Sequence, residues 1–172
     1  MARAFPRGAY VAALVFLFVA PWPGSGDEAK SKAAVYALYA RMSRKFPDVA
    51  DVHPLVALQW AQAGKAVFVD VRPDKERSVS SMAQAVAAAD FEKNPGLYAG
   101  REVVAFCTIG YRSALWARKM ARKGVPVKNL AAGLLGWVWE GGKLVDAAGE
   151  TSKLDVYSKK FNILPPGFEG VW

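Results

Sequence analysis

The segment Glu102-Val103-Val104-Ala105-Phe106 runs without a break into Cys107-Thr108-Ile109-Gly110 and then into a helix-patterned stretch closed by Gly124. A short, unalternating apolar run rich in β-branched residues is buried on both faces, as a parallel strand sandwiched between helices is. Parallel strands need long crossovers, usually helical. This one feature therefore commits the flanking chain to alternating strands and helices, and the middle of the sequence complies. Ala66-Val67-Phe68-Val69 reads as a second buried strand that ends at Asp70-Val71-Arg72 and is stopped by Pro73. His53-Pro54 opens a helix with Leu55, Leu58, Trp60 and Ala61 on its apolar side and Gly64 as its cap. Residues 113–123 read as a helix with Leu115, Trp116 and Met120 among its apolar positions, 125–130 as a strand, and 133–139 as a short helix or turn. Residues 74–94 are readable two ways, because the run 83–89 fits a helix or a short strand. The expected class is α/β, one domain with a mainly parallel sheet covered on both faces.

The two ends read differently. Val35, Leu38, Met42 and Phe46 recur at helical spacing, so 27–46 is expected to be a helix ended by Pro47. Residues 151–172 lack a period, and Pro165-Pro166-Gly167 marks an extended tail wrapping the domain. Arg3 and Arg7 precede an apolar run over 9–20, and Pro21, Pro23 and Gly24 then break any helix. That is the layout of a secretory signal, and the run is shorter than the ~20 residues of a spanning helix. No clean small-residue cleavage site precedes Asp27, so an uncleaved membrane anchor through 9–20 stands beside cleavage. The expected organisation is a leader or anchor over 1–26, an N-terminal helix over 27–50, the main domain over 51–146, and a C-terminal extension over 147–172 packing on it. The expected location is exported and periplasmic, soluble or anchored.

The chain has one cysteine and one histidine, which rules out an internal disulfide and the common Cys/His metal sites. Neither metal nor cofactor is expected. The net charge of +8 suits a small anionic ligand, or solubility alone. There is no nucleic-acid motif and no aromatic–basic platform for single strands.

Chemistry concentrates in Cys107-Thr108-Ile109-Gly110-Tyr111-Arg112-Ser113. Ligands of open α/β sheets bind at the carboxyl ends of strands. A loop there can turn several N–H groups inward, and the following helix adds its positive end. A thiolate at the base of such a nest is stabilised. Arg112 adds a permanent charge at the rim, Gly110 permits the tight backbone, and Ser113 is placed to cap the helix. The hydroxyls of Thr108 and Ser113 are expected to donate to the sulfur.

The same seven residues resemble the C-x-x-G-x-R-S loop of single-domain rhodaneses. Val69-Asp70-Val71-Arg72 is similar to that family's strand ending in D-x-R, and the stretch from Asn129-Leu130 through Gly133 to Trp137 to its N-L-x-G-G…W segment. The likeness spans residues 51–146 in the right order. It implies a single rhodanese-like domain with a five-stranded, mainly parallel sheet. One departure stands out: where the family has G-H-I-P-G-A, this chain has Ser80-Ser81-Met82-Ala83-Gln84-Ala85, and the histidine is missing.

The resemblance implies a sulfurtransferase. The Cys107 thiolate would take the outer sulfur of thiosulfate or a persulfide donor, hold it as a persulfide, and pass it to a thiol or cyanide. Arg112 would stabilise the charged sulfur with the loop amides. Thr108, Ile109, Gly110, Tyr111 and Ser113 would bind substrate, and Asp70, Arg72 and Glu76 would support the loop. Two other readings remain at this point. One is a persulfide carrier that relays sulfur to a protein partner without turnover. The other is a cysteine-based phosphatase or arsenate reductase, whose loop has five residues between Cys and Arg where this chain has Thr108, Ile109, Gly110 and Tyr111.

Overall fold

A computed structural model describes residues 26–172. The expected leader therefore lies outside the described residues, apart from Gly26. No helix among the described residues is long and apolar enough to cross a membrane.

Five strands form one sheet: β1 (Asp51–Val52), β2 (Ala66–Asp70), β3 (Val86–Ala87), β4 (Glu102–Phe106) and β5 (Lys128–Leu130), in the order β1-β5-β4-β2-β3. Every pairing in it is parallel, as the apolar runs require. The helices are α1 (Gly26–Ser43), α2 (Pro54–Gln62), α3 (Asp74–Val79), α4 (Ala88–Lys93), α5 (Tyr111–Ala121) and α6 (Gly133–Trp139). Strand alternation sorts the core into two layers. Phe68, Val104 and Phe106 pack toward α1, α2 and α6, whereas Val67, Val69 and Ala105 pack toward α4 and α5. Phe91, Phe106 and Met120 are among the largest fully buried side chains.

Four expectations need correction. Helix α1 ends at Ser43 rather than Phe46, with turns from Lys45 N–H to the Met42 carbonyl and Phe46 N–H to Ser43 closing it. The cause is Pro47, which disfavours a helical Phe46. Helix α5 begins at Tyr111, two residues early, because Gly110 (φ 95°) makes the turn that Ser113 was expected to make. Strand β5 starts at Lys128, not Val125. The tail contains regular structure: after a hairpin of β6 (Leu144–Asp146) and β7 (Gly149–Thr151) leads into it, β8 (Lys153–Asp155) pairs in parallel with β9 (Glu169–Val171). Strands of three residues are too short to show a period. Leu154 and Val156 nevertheless bury completely, anchoring the tail on the α1/α6 layer. The ambiguous stretch 74–94 resolves into α3, β3 and α4, so both readings of 83–89 were half right.

Two consequences for stability follow. The Glu92 carboxylate accepts hydrogen bonds from Lys119 and from Trp116 Nε1, and these draw it from 4.5 down to about 2 against the cost of burial. A depressed carboxylate stabilises the fold fully above its ordinary value and loses that contribution as pH falls through its folded value. Glu92→Gln should therefore flatten the fall in urea midpoint between pH 4.5 and about 2. An unchanged slope would contradict the assignment. Gln84 sits in the left-handed region (φ 58°), where glycine is unstrained. Gln84→Gly should raise unfolding free energy by about 0.5 kcal/mol, the relief of strain less the added entropy of the unfolded chain.

Candidate active site

From β2 the chain moves to one side of the sheet, and from β4 it moves to the other. The crevice between their carboxyl ends is the switch point at which α/β sheets bind ligands. Asp70 ends β2 opposite Phe106, the last residue of β4, so Asp70 and Cys107 flank this crevice. Cys107 begins the loop that leads into α5. Its side chain is almost fully buried, yet it lies in the floor of an open pocket of ≈ 340 Å³. The Gly110 N–H donates to Cys107 Sγ at 3.1 Å. Gly110 can do this because it adopts φ 95°, with the Tyr39 ring so close that a Cβ would stand 2.7 Å from it.

Helix α6 fixes the loop from below. Leu134 and Leu135 N–H donate to the carbonyls of Cys107 and Thr108 at 2.9 and 3.1 Å. Gly133 makes that approach possible, since a Cβ there would lie 2.3 Å from the Cys107 carbonyl oxygen. The loop is thus held by backbone hydrogen bonds and cannot drift with its side chains.

Arg112 does not present a free charge to the sulfur. Its Nη1 and Nη2 donate to Glu76 Oε1 and Oε2, both at 2.6 Å, and Nη2 also reaches Thr108 Oγ1 at 3.2 Å. Thr108 in turn donates to Glu76 Oε2 at 3.4 Å. The Glu76 carboxylate above all, with Cys107 adding to it, drives the guanidinium above its already high ordinary value against the opposing effect of burial. Glu76 thus shares the loop's central ion pair, a larger part than the sequence assigns it. The Thr108 hydroxyl serves this pair and not the sulfur.

Ser113 reaches the sulfur as expected, and a second acceptor besides. Asn129 Nδ2 donates to the Tyr39 hydroxyl at 2.9 Å and to Asp51 Oδ1 at 3.1 Å, which turns Asn129 Oδ1 toward Ser113. The Ser113 hydroxyl lies 2.6 Å from that oxygen and 3.5 Å from Cys107 Sγ. Its single proton thus has two acceptors in reach, the amide oxygen at the shorter distance and the sulfur at one ordinary for an O–H···S contact. Burial first, and then the Asp51 hydrogen bond, push the Tyr39 phenol up, so it stays protonated as part of this chain.

Asp70 and Arg72 form a buried brace. Asp70 accepts from Arg72 Nε at 3.0 Å and Nη2 at 2.8 Å, from the Arg72 N–H at 3.0 Å, and from Ser81 Oγ at 2.7 Å. Arg72 Nη2 also donates to the Ser80 carbonyl at 2.6 Å.

Around the pocket, Ile109 and Tyr111 come from the loop as expected. The sequence reading missed the other wall: Met42 from α1, and Tyr157, Lys160 and Phe161 from the tail. Met42 carried a helical signal but no sign of its target, and the three tail residues carried none. Among the described residues no group of His, Cys, Asp and Glu is arranged to hold a metal ion.

No protein-family model matches the chain, and no curated protein matches its sequence. Solved structures do match. A thiosulfate sulfurtransferase from Pseudomonas aeruginosa superposes with a TM-score of 0.51 at 21% identity, over 78% of this chain and 26% of that one. The chain thus spans about a quarter of that protein. The fold is that of a rhodanese-like domain. A rhodanese-related protein from Thermoplasma volcanium matches at 18% identity and TM-score 0.47, over 56% of this chain and 97% of its own. A possible tyrosine phosphatase from Rhodopseudomonas palustris matches at 20% and 0.49, over 63% and 91%. At these identities the likeness is one of fold.

The departing segment 80–85 is tied to the end of β2 through Asp70 and Arg72. Ser81 stands where the resembled motif has histidine, and its hydroxyl binds Asp70 while its backbone bridges Val145. Gln84 stands where the motif has its second glycine and adopts a left-handed backbone, φ 58°.

Proposed function

We propose that the chain is a sulfurtransferase that carries sulfane sulfur on Cys107. The observation that carries this reading is the position of Sγ, 3.1 Å from the Gly110 amide on the floor of an open pocket at the start of a helix. A buried inert cysteine has no use for such a setting. The likeness to a thiosulfate sulfurtransferase supports the reading at the level of fold.

In the proposed reaction the Cys107 thiolate attacks the outer sulfur of the donor. A new S–S bond forms, the donor's S–S bond breaks, and its electron pair leaves with the remaining fragment, which is sulfite when the donor is thiosulfate. The persulfide's terminal sulfur then lies toward the first turn of α5, whose leading amides have no partner within the helix. Preorganised donors of this kind stabilise developing anions at no reorganisation cost. A thiol or cyanide takes the terminal sulfur and returns Cys107 to the thiolate. Arg112, tied to Glu76, acts as a framework for the loop and as a shared, partly neutralised charge.

The test is turnover. Purified protein given a sulfane donor and cyanide should release thiocyanate, and Cys107→Ala should release none. Hydrolysis of p-nitrophenyl phosphate with no thiocyanate formed would overturn the proposal in favour of phosphatase chemistry.

A further inference from the structure

The pocket above Cys107 is walled by apolar side chains more than by cations. Met42, Ile109, Tyr157 and Phe161 supply much of its lining. At ≈ 340 Å³ it falls in the range of sites for small organic ligands. A five-atom sulfur oxyanion would leave most of it unfilled. Charge points the same way. Glu76 matches the charge of Arg112 with two contacts of 2.6 Å, so this guanidinium offers a dianion little net attraction. Lys160 is the remaining cation of the lining. Its Nζ stands 4.9 Å from the Phe161 ring centroid and forms no salt bridge among the described residues.

The backbone supplies an independent observation. Tyr157 adopts φ 67°, a conformation that bulky side chains avoid. Asp155 Oδ1 holds it there by accepting the Tyr157 N–H at 2.8 Å, between a buried Val156 and a Ser158 N–H bonded to the Val156 carbonyl. The turn leaves Tyr157 63% exposed and sets its ring centroid 5.3 Å from the Arg112 guanidinium carbon, beside the sulfur pocket. Backbone strain that its surroundings enforce gathers at the edges of functional sites.

We propose that Tyr157 and Phe161 are specificity-determining residues that select an organic sulfane-sulfur donor, with an apolar body and one negative charge, over inorganic thiosulfate. The inference rests on the sulfurtransferase reading and names the donor class of that same site. For a thiosulfonate, RSO2S⁻, the Cys107 thiolate bonds to the terminal sulfur, the S–S bond to the sulfonyl sulfur breaks, and its electron pair departs as the sulfinate RSO2⁻. One persulfide anion and one sulfinate replace one thiolate and one thiosulfonate, so charge and electrons balance. The R group lies against the two rings, and Lys160 faces the single charge.

The experiment compares kcat/KM of the full chain for thiosulfate, methanethiosulfonate and benzenethiosulfonate, with cyanide as acceptor. Methanethiosulfonate shares the single charge but lacks the ring, which separates charge from apolar fit. The expected order is benzenethiosulfonate above methanethiosulfonate above thiosulfate. In Tyr157→Gly, which also relieves the backbone strain, and in Phe161→Ser, the advantage of the phenyl over the methyl donor should shrink about tenfold, mainly through KM. A wild type that prefers thiosulfate, or a phenyl advantage untouched in both variants, would overturn the inference while leaving sulfur transfer standing. Failure of all three donors to load Cys107 would remove the sulfurtransferase reading and this inference together.

Discussion

Gly133→Ala is expected to lower sulfur transfer by about 100-fold, the usual cost of displacing a reacting group by an ångström. A Cβ at residue 133 would stand 2.3 Å from the Cys107 carbonyl oxygen and 2.8 Å from the Thr108 backbone, and the residue's φ of +54° disfavours any side chain. Backbone cannot yield as a side-chain tip does, so the loop and α6 must separate. The hydrogen bonds from Leu134 and Leu135 to the loop carbonyls lengthen as they do. The stability cost should be about 1–3 kcal/mol. Gly124→Ala is the control: its φ is +78°, but nothing lies within 4 Å of the added carbon. It should cost about 1 kcal/mol of stability and leave transfer unchanged. Equal activity losses in the two variants would mean that the α6 contact does not position Cys107.

Arg112→Ala should be the most destabilising single truncation in the loop, at about 2–4 kcal/mol, because it strands the Glu76 carboxylate with its side chain only 8% exposed. Glu76→Gln should cost less, about 1 kcal/mol, since the Arg112 side chain is 32% exposed and water can solvate it. Arg112→Lys should fall between them, keeping the charge and losing the two-pronged contact. Urea unfolding of the three variants and of the Arg112→Ala/Glu76→Gln double mutant gives the order and the coupling. If Arg112→Ala and Glu76→Gln cost the same, the ion pair is not the asymmetric, buried element that the distances describe.

The parts of the fold that were legible in the sequence are those where burial dictates composition. Val67–Val69 and Val103–Phe106 are central parallel strands buried on both faces, so nearly every position had to be apolar and the runs stood out. Cys107 and Gly110 were legible because few residue types suit their places. Illegible features depended on partners distant in sequence. Nothing near Glu76 announces that Arg112, 36 residues on, will claim both its oxygens. Ser113 looked like a cap because serine usually caps; Gly110, already left-handed, had taken that position. The second acceptor of its hydroxyl is Asn129 Oδ1, which Tyr39 and Asp51 orient from another helix and strand. The tail reads as extended but its strands do not show, because β8 and β9 are short and pair across an intervening segment, leaving no room for alternation or helical spacing to appear.

The most direct measurement of the central claim is the intact mass of the full chain after incubation with a sulfane-sulfur donor and removal of excess reagent. One sulfur atom should be added, peptide mapping should place it on Cys107, and cyanide should strip it off. A Cys107→Ala chain that gains the same sulfur, or a wild-type chain whose thiol never takes it from any donor, would contradict the account.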